Sequence, residues 1–290
     1  MQQIEIETSA GQRAALLWNT APAGAPWLHF AHATGMHAWL YARLLAPLAD
    51  RFHIIASDAR GHGRTAAIDP RAPTSDCVEW EDFAADTIAV IDAVAPEARW
   101  LLAGHSMGGS ASLLAAVAAP QRVAGLVLID PPMIPFELAR EALAMGIKTA
   151  NPMADGAARR RADFPDVASA RDRWRGRGVF TGWDDADLEA YLADGLRPAV
   201  DGVTLTCTPA WEAATFRGVS HRIEAALVAL DRPFALVAGE IGSTVRDAEF
   251  ASFAAHRCCV SAQRLSGTTH FVPLQRGDVI RATIAHVAAA

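Results

Sequence analysis

Short runs of apolar and branched residues alternate with longer stretches of helical periodicity, and this alternation leaves few folds open to the chain. Predicted strands are Ala14–Trp18, Trp27–Ala31, His53–Ser57, Trp100–Ala103, Val123–Asp130, Phe234–Ala238 and Cys258–Arg264. Predicted helices are Trp39–Ala49, Trp80–Val94, Met107–Ala119, Asp247–His256 and Asp278–Ala289. Within Trp80–Val94, Phe83, Ile88, Ile91 and Val94 recur near the helical period. Alternating strands and helices imply α/β architecture: a mainly parallel sheet with helices on both faces. Central strands of such a sheet are apolar throughout, as Leu126-Val127-Leu128-Ile129 is.

The alternation stops between about Pro131 and Asp231. That segment is helical in pattern, arginine-rich from Arg159 to Arg177, and carries Trp174, Phe180, Trp183, Tyr191, Trp211 and Phe216. An unstructured loop of that length inside a compact domain is improbable. We therefore expect a helical insertion over 132–231, interrupting a core made of 1–131 and 232–290.

Composition narrows the function. Of 290 residues, 51% are hydrophobic and 20% charged, which is globular rather than disordered. With 26 basic and 32 acidic side chains the net charge is −6, against the basic face a general nucleic-acid binder needs. No apolar run reaches the roughly 18–20 residues of a membrane span. The start, Met1-Gln2-Gln3-Ile4-Glu5-Ile6-Glu7, has neither the basic region nor the apolar core of a signal peptide. Cys77, Cys207, Cys258 and Cys259 form no C-x-x-C pair, so reduced thiols and a cytoplasmic location are expected. The expected partner is a small-molecule substrate; nothing specifies a subunit count.

The strongest local signal is Gly104-His105-Ser106-Met107-Gly108-Gly109. It follows an apolar strand and opens an alanine-rich helix, the strand–turn–helix setting of a G-x-S-x-G nucleophile elbow. A tight turn of this kind pushes the serine hydroxyl outward, and the flanking glycines leave room where a Cβ would clash. The following helix aims free N–H groups at the site, which favours a developing oxyanion.

With this motif the chain resembles the α/β-hydrolase family over nearly its whole length. His29-Phe30-Ala31-His32-Ala33-Thr34-Gly35 is similar to the family's H-G-x loop, with Ala33 where the family has glycine. Ser57-Asp58-Ala59-Arg60-Gly61-His62-Gly63-Arg64-Thr65 resembles its D-x-R-G-H-G-x-S segment. Gly267-Thr268-Thr269-His270-Phe271-Val272-Pro273 resembles its G-x-x-H-x-x-P loop. The resemblance implies a mostly parallel eight-stranded sheet, a helical cap inserted after strand six, and serine-dependent hydrolysis without cofactor or metal.

A serine hydroxyl needs a base at neutral pH, and histidine is suited to that work. Of the ten histidines, His270 is the candidate, because it follows the final strand, at the edge where ligand crevices of α/β sheets lie. His62 is expected to tie its own loop together, and His105 to point away from the reaction. One oxyanion donor is the amide of Met107, directly after the serine; by the family's pattern the other is the amide of Thr34. The family's usual aspartate after strand seven is missing, since Gly242 or Ser243 falls there. Asp130 at the end of strand six, a position some family members use, is favoured as the acid, with Glu240 at the end of strand seven the alternative.

Other classes fit less well. His29, His32, His37, His53 and His62 lie close in sequence but in no metal-ligand spacing. Gly61-His62-Gly63 does not continue into a dinucleotide-binding turn. The expected activity is hydrolysis of a small or medium carboxylic ester, thioester or lactone through an acyl-enzyme. The alternatives are carbon–carbon bond hydrolysis on the same fold and a non-catalytic hydrolase-like binding protein.

Overall fold

The fold was analysed in a computed structural model that describes residues 1–73 and 75–290. Its strands in chain order are β1 (Gln2–Thr8), β2 (Gly11–Trp18), β3 (Trp27–Ala31), β4 (His53–Ser57), β5 (Trp100–His105), β6 (Val123–Ile129), β7 (Asp163–Phe164), β8 (Leu196–Ala199), β9 (Gly202–Leu205), β10 (Phe234–Ile241) and β11 (Cys259–Thr269). Eight of them form one sheet in the order β1-β2-β4-β3-β5-β6-β10-β11. The β1–β2 and β2–β4 pairs are antiparallel and every other pair is parallel.

Successive strand residues face opposite sides, so the apolar run of β6 serves two cores at once. Leu126 and Leu128 join one cluster, with Trp80, Phe83 and Leu113 from the helices Trp80–Val94 and Met107–Ala118. Val127 and Ile129 join the other, with Leu44, Leu45, Ile280 and Ile284. All four β6 residues are fully buried, and truncating Leu126, Leu128 or Ile129 to alanine is expected to cost about 2–5 kcal/mol.

The structure departs from expectation in four places. β1 was missed because Gln2, Gln3, Glu5 and Glu7 make it polar; it is an edge strand that buries only Ile6. The predicted helix Trp39–Ala49 is broken into a 3₁₀ turn Ala38–Tyr41, an α turn Ala42–Leu45 and a second 3₁₀ turn Ala46–Leu48. Pro47 lacks the N–H that a continuing helix would need there. The segment between β6 and β10 is not helical throughout: β7, β9 and β8 form a small antiparallel sheet. β11 runs on to Thr269, so His270 follows the strand immediately instead of sitting in a glycine/threonine loop.

The helices and small sheet between β6 and β10 are seated on the core by specific contacts. Trp211 lies over Gly61, where an added Cβ would come within 2.1 Å of the indole. The Trp80 indole N–H donates to the Thr215 carbonyl at 2.9 Å, and His37 donates through Nε2 to the Tyr191 carbonyl at 2.9 Å. Phe164, Trp174, Phe180, Trp183 and Tyr191 form a continuous aromatic cluster within this segment. Among the described residues no helix is long and apolar enough to cross a membrane.

Candidate active site

Ser106 stands between β5 and the helix Met107–Ala118 with φ 54° and ψ −127°, a strained conformation for a residue with a Cβ. The strain is held by close packing on both sides. An added Cβ on Gly104 would lie 2.2 Å from the Gly108 carbonyl oxygen, and one on Gly108 would lie 2.2 Å from that of Ala31. Only glycine lets the first helical turn approach the end of β3 so closely. The Ser106 amide donates to the Ile129 carbonyl at 2.9 Å, which fixes the turn to β6.

Asp130, the next residue of that neighbouring strand's end, is also in a positive-φ conformation, at 42°, and is fully buried. Its carboxylate is engaged on both oxygens. Oδ2 lies 2.6 Å from Nδ1 of His270 and takes the Thr244 amide at 3.3 Å, while Oδ1 accepts the Ser243 hydroxyl. The Thr244 hydroxyl donates to the Asp130 carbonyl at 2.8 Å. A buried carboxylate with this many donors is fixed in direction. Ser243 was noted in the sequence only as a gap in the family's pattern; in space it is a donor to the carboxylate that stands elsewhere.

Glu240 is not brought to His270. It is exposed at the end of β10, where its carboxylate accepts the Gly267 amide at 2.7 Å and the Ser266 hydroxyl at 3.1 Å. Those donors, the Gly267 amide foremost, hold its carboxyl below the usual range.

His105 points away from the cavity, into a buried relay that the sequence did not reveal. Its Nε2 donates to the His270 carbonyl at 2.8 Å and its Nδ1 accepts the Tyr41 hydroxyl at 2.8 Å. Tyr41 in turn accepts the Ala33 amide at 3.4 Å. Burial, then the neighbouring His270, push the His105 pKa well below its ordinary value, so the ring is neutral as these partners require. One chain of hydrogen bonds therefore joins the loop after β3 to the backbone of His270.

That loop is also tied from the other side. His32 donates through Nδ1 to the Ala33 carbonyl at 2.8 Å and accepts the Ala59 amide on Nε2 at 2.9 Å. His62 donates to the Arg60 carbonyl at 2.9 Å, closing its own loop. The turn that the family makes with glycine after histidine keeps a negative φ at Ala33; the positive φ, 73°, falls on Gly35. Thr34 lines the cavity with Ser106, and among the described residues its amide and that of Met107 make no turn hydrogen bond. Met107 itself is buried, and as the first helical residue its N–H has no intrahelical acceptor.

A cavity of about 630 Å³ opens over Ser106 and His270. Thr34, Met36 and Phe271 line it from the core; Phe164, Trp174, Phe180 and Phe216 line it from the segment above. Both Ser106 and His270 face it, and neither the serine hydroxyl nor Nε2 of the imidazole is engaged with another side chain among the described residues. Among the described residues no cluster of three or more histidine, cysteine or acidic side chains is arranged to hold a metal ion.

A model of the alpha/beta hydrolase family matches residues 30–283. The chain belongs to that family. It is 27% identical over 248 residues to the 2-(acetamidomethylene)succinate hydrolase of Mesorhizobium japonicum, covering 85% of this chain and 82% of that one. A 116-residue stretch is 32% identical to a pimeloyl-[acyl-carrier protein] methyl ester esterase of Edwardsiella ictaluri, 40% of each chain. Several of the relatives are matched over two fifths or less of their own length. Among solved structures, the E-2-(acetamidomethylene)succinate hydrolase shares the fold with a TM-score of 0.77 and 22% identity, over 100% of this chain and 99% of that one.

Proposed function

We propose that this chain is a serine hydrolase that cleaves a small or medium carboxylic ester, thioester or lactone through an acyl-enzyme. The observation that carries the reading is the 2.6 Å contact between Nδ1 of His270 and the buried Asp130 carboxylate, made beside a cavity into which the strained Ser106 turn opens. In this reading Ser106 attacks the carbonyl while Nε2 of His270 takes its proton. Asp130 orients the imidazole and stabilises its charged form. The amides of Met107 and Thr34 receive the oxyanion. His270 then protonates the leaving group, and water hydrolyses the acyl-enzyme by the same route. Residues 132–231 act as a cap over the core formed by 1–131 and 232–290. The four cysteines are free thiols, which supports a reducing compartment, the cytoplasm.

A fluorophosphonate probe tests the mechanism. We expect labelling at Ser106, none in Ser106→Ala, and strongly slowed labelling in His270→Ala. A panel of esters, thioesters and lactones then identifies the bond cut. Unlabelled wild-type protein would turn the reading to a non-catalytic binding protein.

A second reading is favoured by the likeness, over 85% of the chain, to a hydrolase named for 2-(acetamidomethylene)succinate. In that reading the same site acts on a compound of that kind, and the ester panel shows weak turnover beside it.

A further inference from the structure

The cavity over Ser106 has an unusual electrical character for an acidic protein. Five guanidinium groups line it, from Arg159, Arg160, Arg161, Arg173 and Arg177, against one carboxylate, Glu212. Arg160 is neutralised: it pairs with Glu212 at 2.9 Å and donates to the Tyr191 hydroxyl at 2.9 Å. Among the described residues the other four have no ion-pair partner. The two arginines between Arg159 and Arg177 that do not line the cavity each have one: Arg171 pairs with Glu189, and Arg175 with Asp185 at 3.3 Å. From Arg159 to Arg177, among the described residues, the arginines without an acidic partner all border the cavity.

Helix ends account for part of this charge and not for its convergence. Arg159 follows the helix Pro152–Ala158 and Arg173 lies in the last turn of Val167–Trp174, where a cation offsets the carbonyl dipole. Arg161 and Arg177 end no helix, yet they line the same space. The same cavity is also lined by apolar side chains, Phe164, Trp174 and Phe180 among them. Arg159, Arg161, Arg173 and Arg177 are exposed while Ser106 is buried, so an anionic group at the solvent side, joined through an apolar stretch to the carbonyl at Ser106, is the ligand this surface complements.

We infer that the substrate is an anion, an acyl compound carrying an oxyanion group, carboxylate or phosphate, that the cap arginines hold away from the scissile carbonyl. This deepens the hydrolase reading and rests on it. The guanidinium fork accepts either group in the bidentate manner, so the charge and its separation from the carbonyl are what the site specifies.

The test compares matched substrates on the full chain. The p-nitrophenyl monoesters of succinate, glutarate and adipate are set against the neutral butyrate, valerate and hexanoate esters. A second arm sets a coenzyme A thioester against the N-acetylcysteamine thioester of the same acid. We expect kcat/KM at least tenfold higher for the anionic member in one arm, and that arm identifies carboxylate or phosphate. The preference should shrink as ionic strength rises. Arg173→Gln/Arg177→Gln should lower the anionic-to-neutral ratio about tenfold, whereas Arg257→Gln, on an exposed position far from the cavity lining, should leave it alone. Equal rates in both arms, or a ratio unmoved by the double variant, would overturn the inference. Calorimetric binding of adipate against adipamide to Ser106→Ala separates the two claims. Selective adipate binding without any turnover by wild type would sink the hydrolase reading alone. Turnover of neutral esters without selective anion binding or an anionic preference would sink the anion alone.

Discussion

Strands β6 and β10 are neighbours in the sheet, and each ends near a carboxylate, yet the two ends have opposite environments. Asp130 is fully buried and takes His270, Ser243 and Thr244 on its carboxylate. Glu240 is exposed and takes a backbone amide and a serine hydroxyl of the adjoining β11. The longer side chain has the greater reach, but its donors hold it on β11. What equips a carboxylate for a site is the set of donors the fold turns toward it, and the loop after β10 spends its donors on Asp130.

The difference between the two strand ends has its largest consequence at Asp130. Asp130→Asn should lower kcat on the best ester of the panel on the order of a thousandfold, because an amide neither stabilises the imidazolium nor selects its tautomer. Restoring a carboxylate on the neighbouring loop, in Asp130→Asn/Ser243→Asp, should recover about tenfold of that loss. No recovery would mean that the loop after β10 has lost the geometry for an acid and serves only to hold one.

The contrast between buried and solvated groups also sets the response to acid. Burial lowers the pKa of His29 and His37 to about 4, and pushes His32 and His105 well below their ordinary value. Their neutral forms contribute stability that is present above the unfolded value near 6.5 and is lost as pH falls through the folded value. For His29 and His37 this amounts to about 3 kcal/mol each by pH 4. Asp58, raised to about 7 by burial, opposes them between pH 4 and 7, because its buried carboxyl favours the protonated form. The histidines outnumber it, so Tm should drop as pH falls from 6.5 to 4, and Asp58→Asn should steepen that drop. Differential scanning calorimetry across this range checks both signs.

Smaller effects sharpen the same contrast. Ser243→Ala removes one hydrogen bond to a buried charge and should cost on the order of tenfold in kcat. Glu240→Gln should change kcat less than about twofold, since its partners are solvated. A larger loss in Glu240→Gln than in Ser243→Ala would reverse the ranking of the two strand ends.

Much of the fold was legible because it rests on local patterns. The apolar run of β6 and the strand–turn–helix around Ser106 carry their instructions in consecutive residues. The polar edge strand β1 and the small sheet of β7, β8 and β9 were missed, because short or half-solvated strands hold few apolar residues to betray them. The same limit applied to the site. Ser106 and His270 were visible as candidates through their surroundings in the chain. The contact of Tyr41 with His105, which links the Ala33 loop to the His270 backbone, had no signal, since it joins a 3₁₀ turn to the end of a strand 64 residues away in sequence.

Consecutive residues are enough to specify the parallel sheet, the sharp turn that strains Ser106, and the absence of an aspartate after β10. These are properties of neighbouring residues: periodicity, glycine spacing, a missing side chain. The tertiary structure alone decided which of two carboxylates meets His270 and which arginines face the cavity instead of an acidic partner. Both depend on side chains that converge from distant parts of the chain, and a one-dimensional pattern does not encode the direction in which a buried or surface side chain finally points.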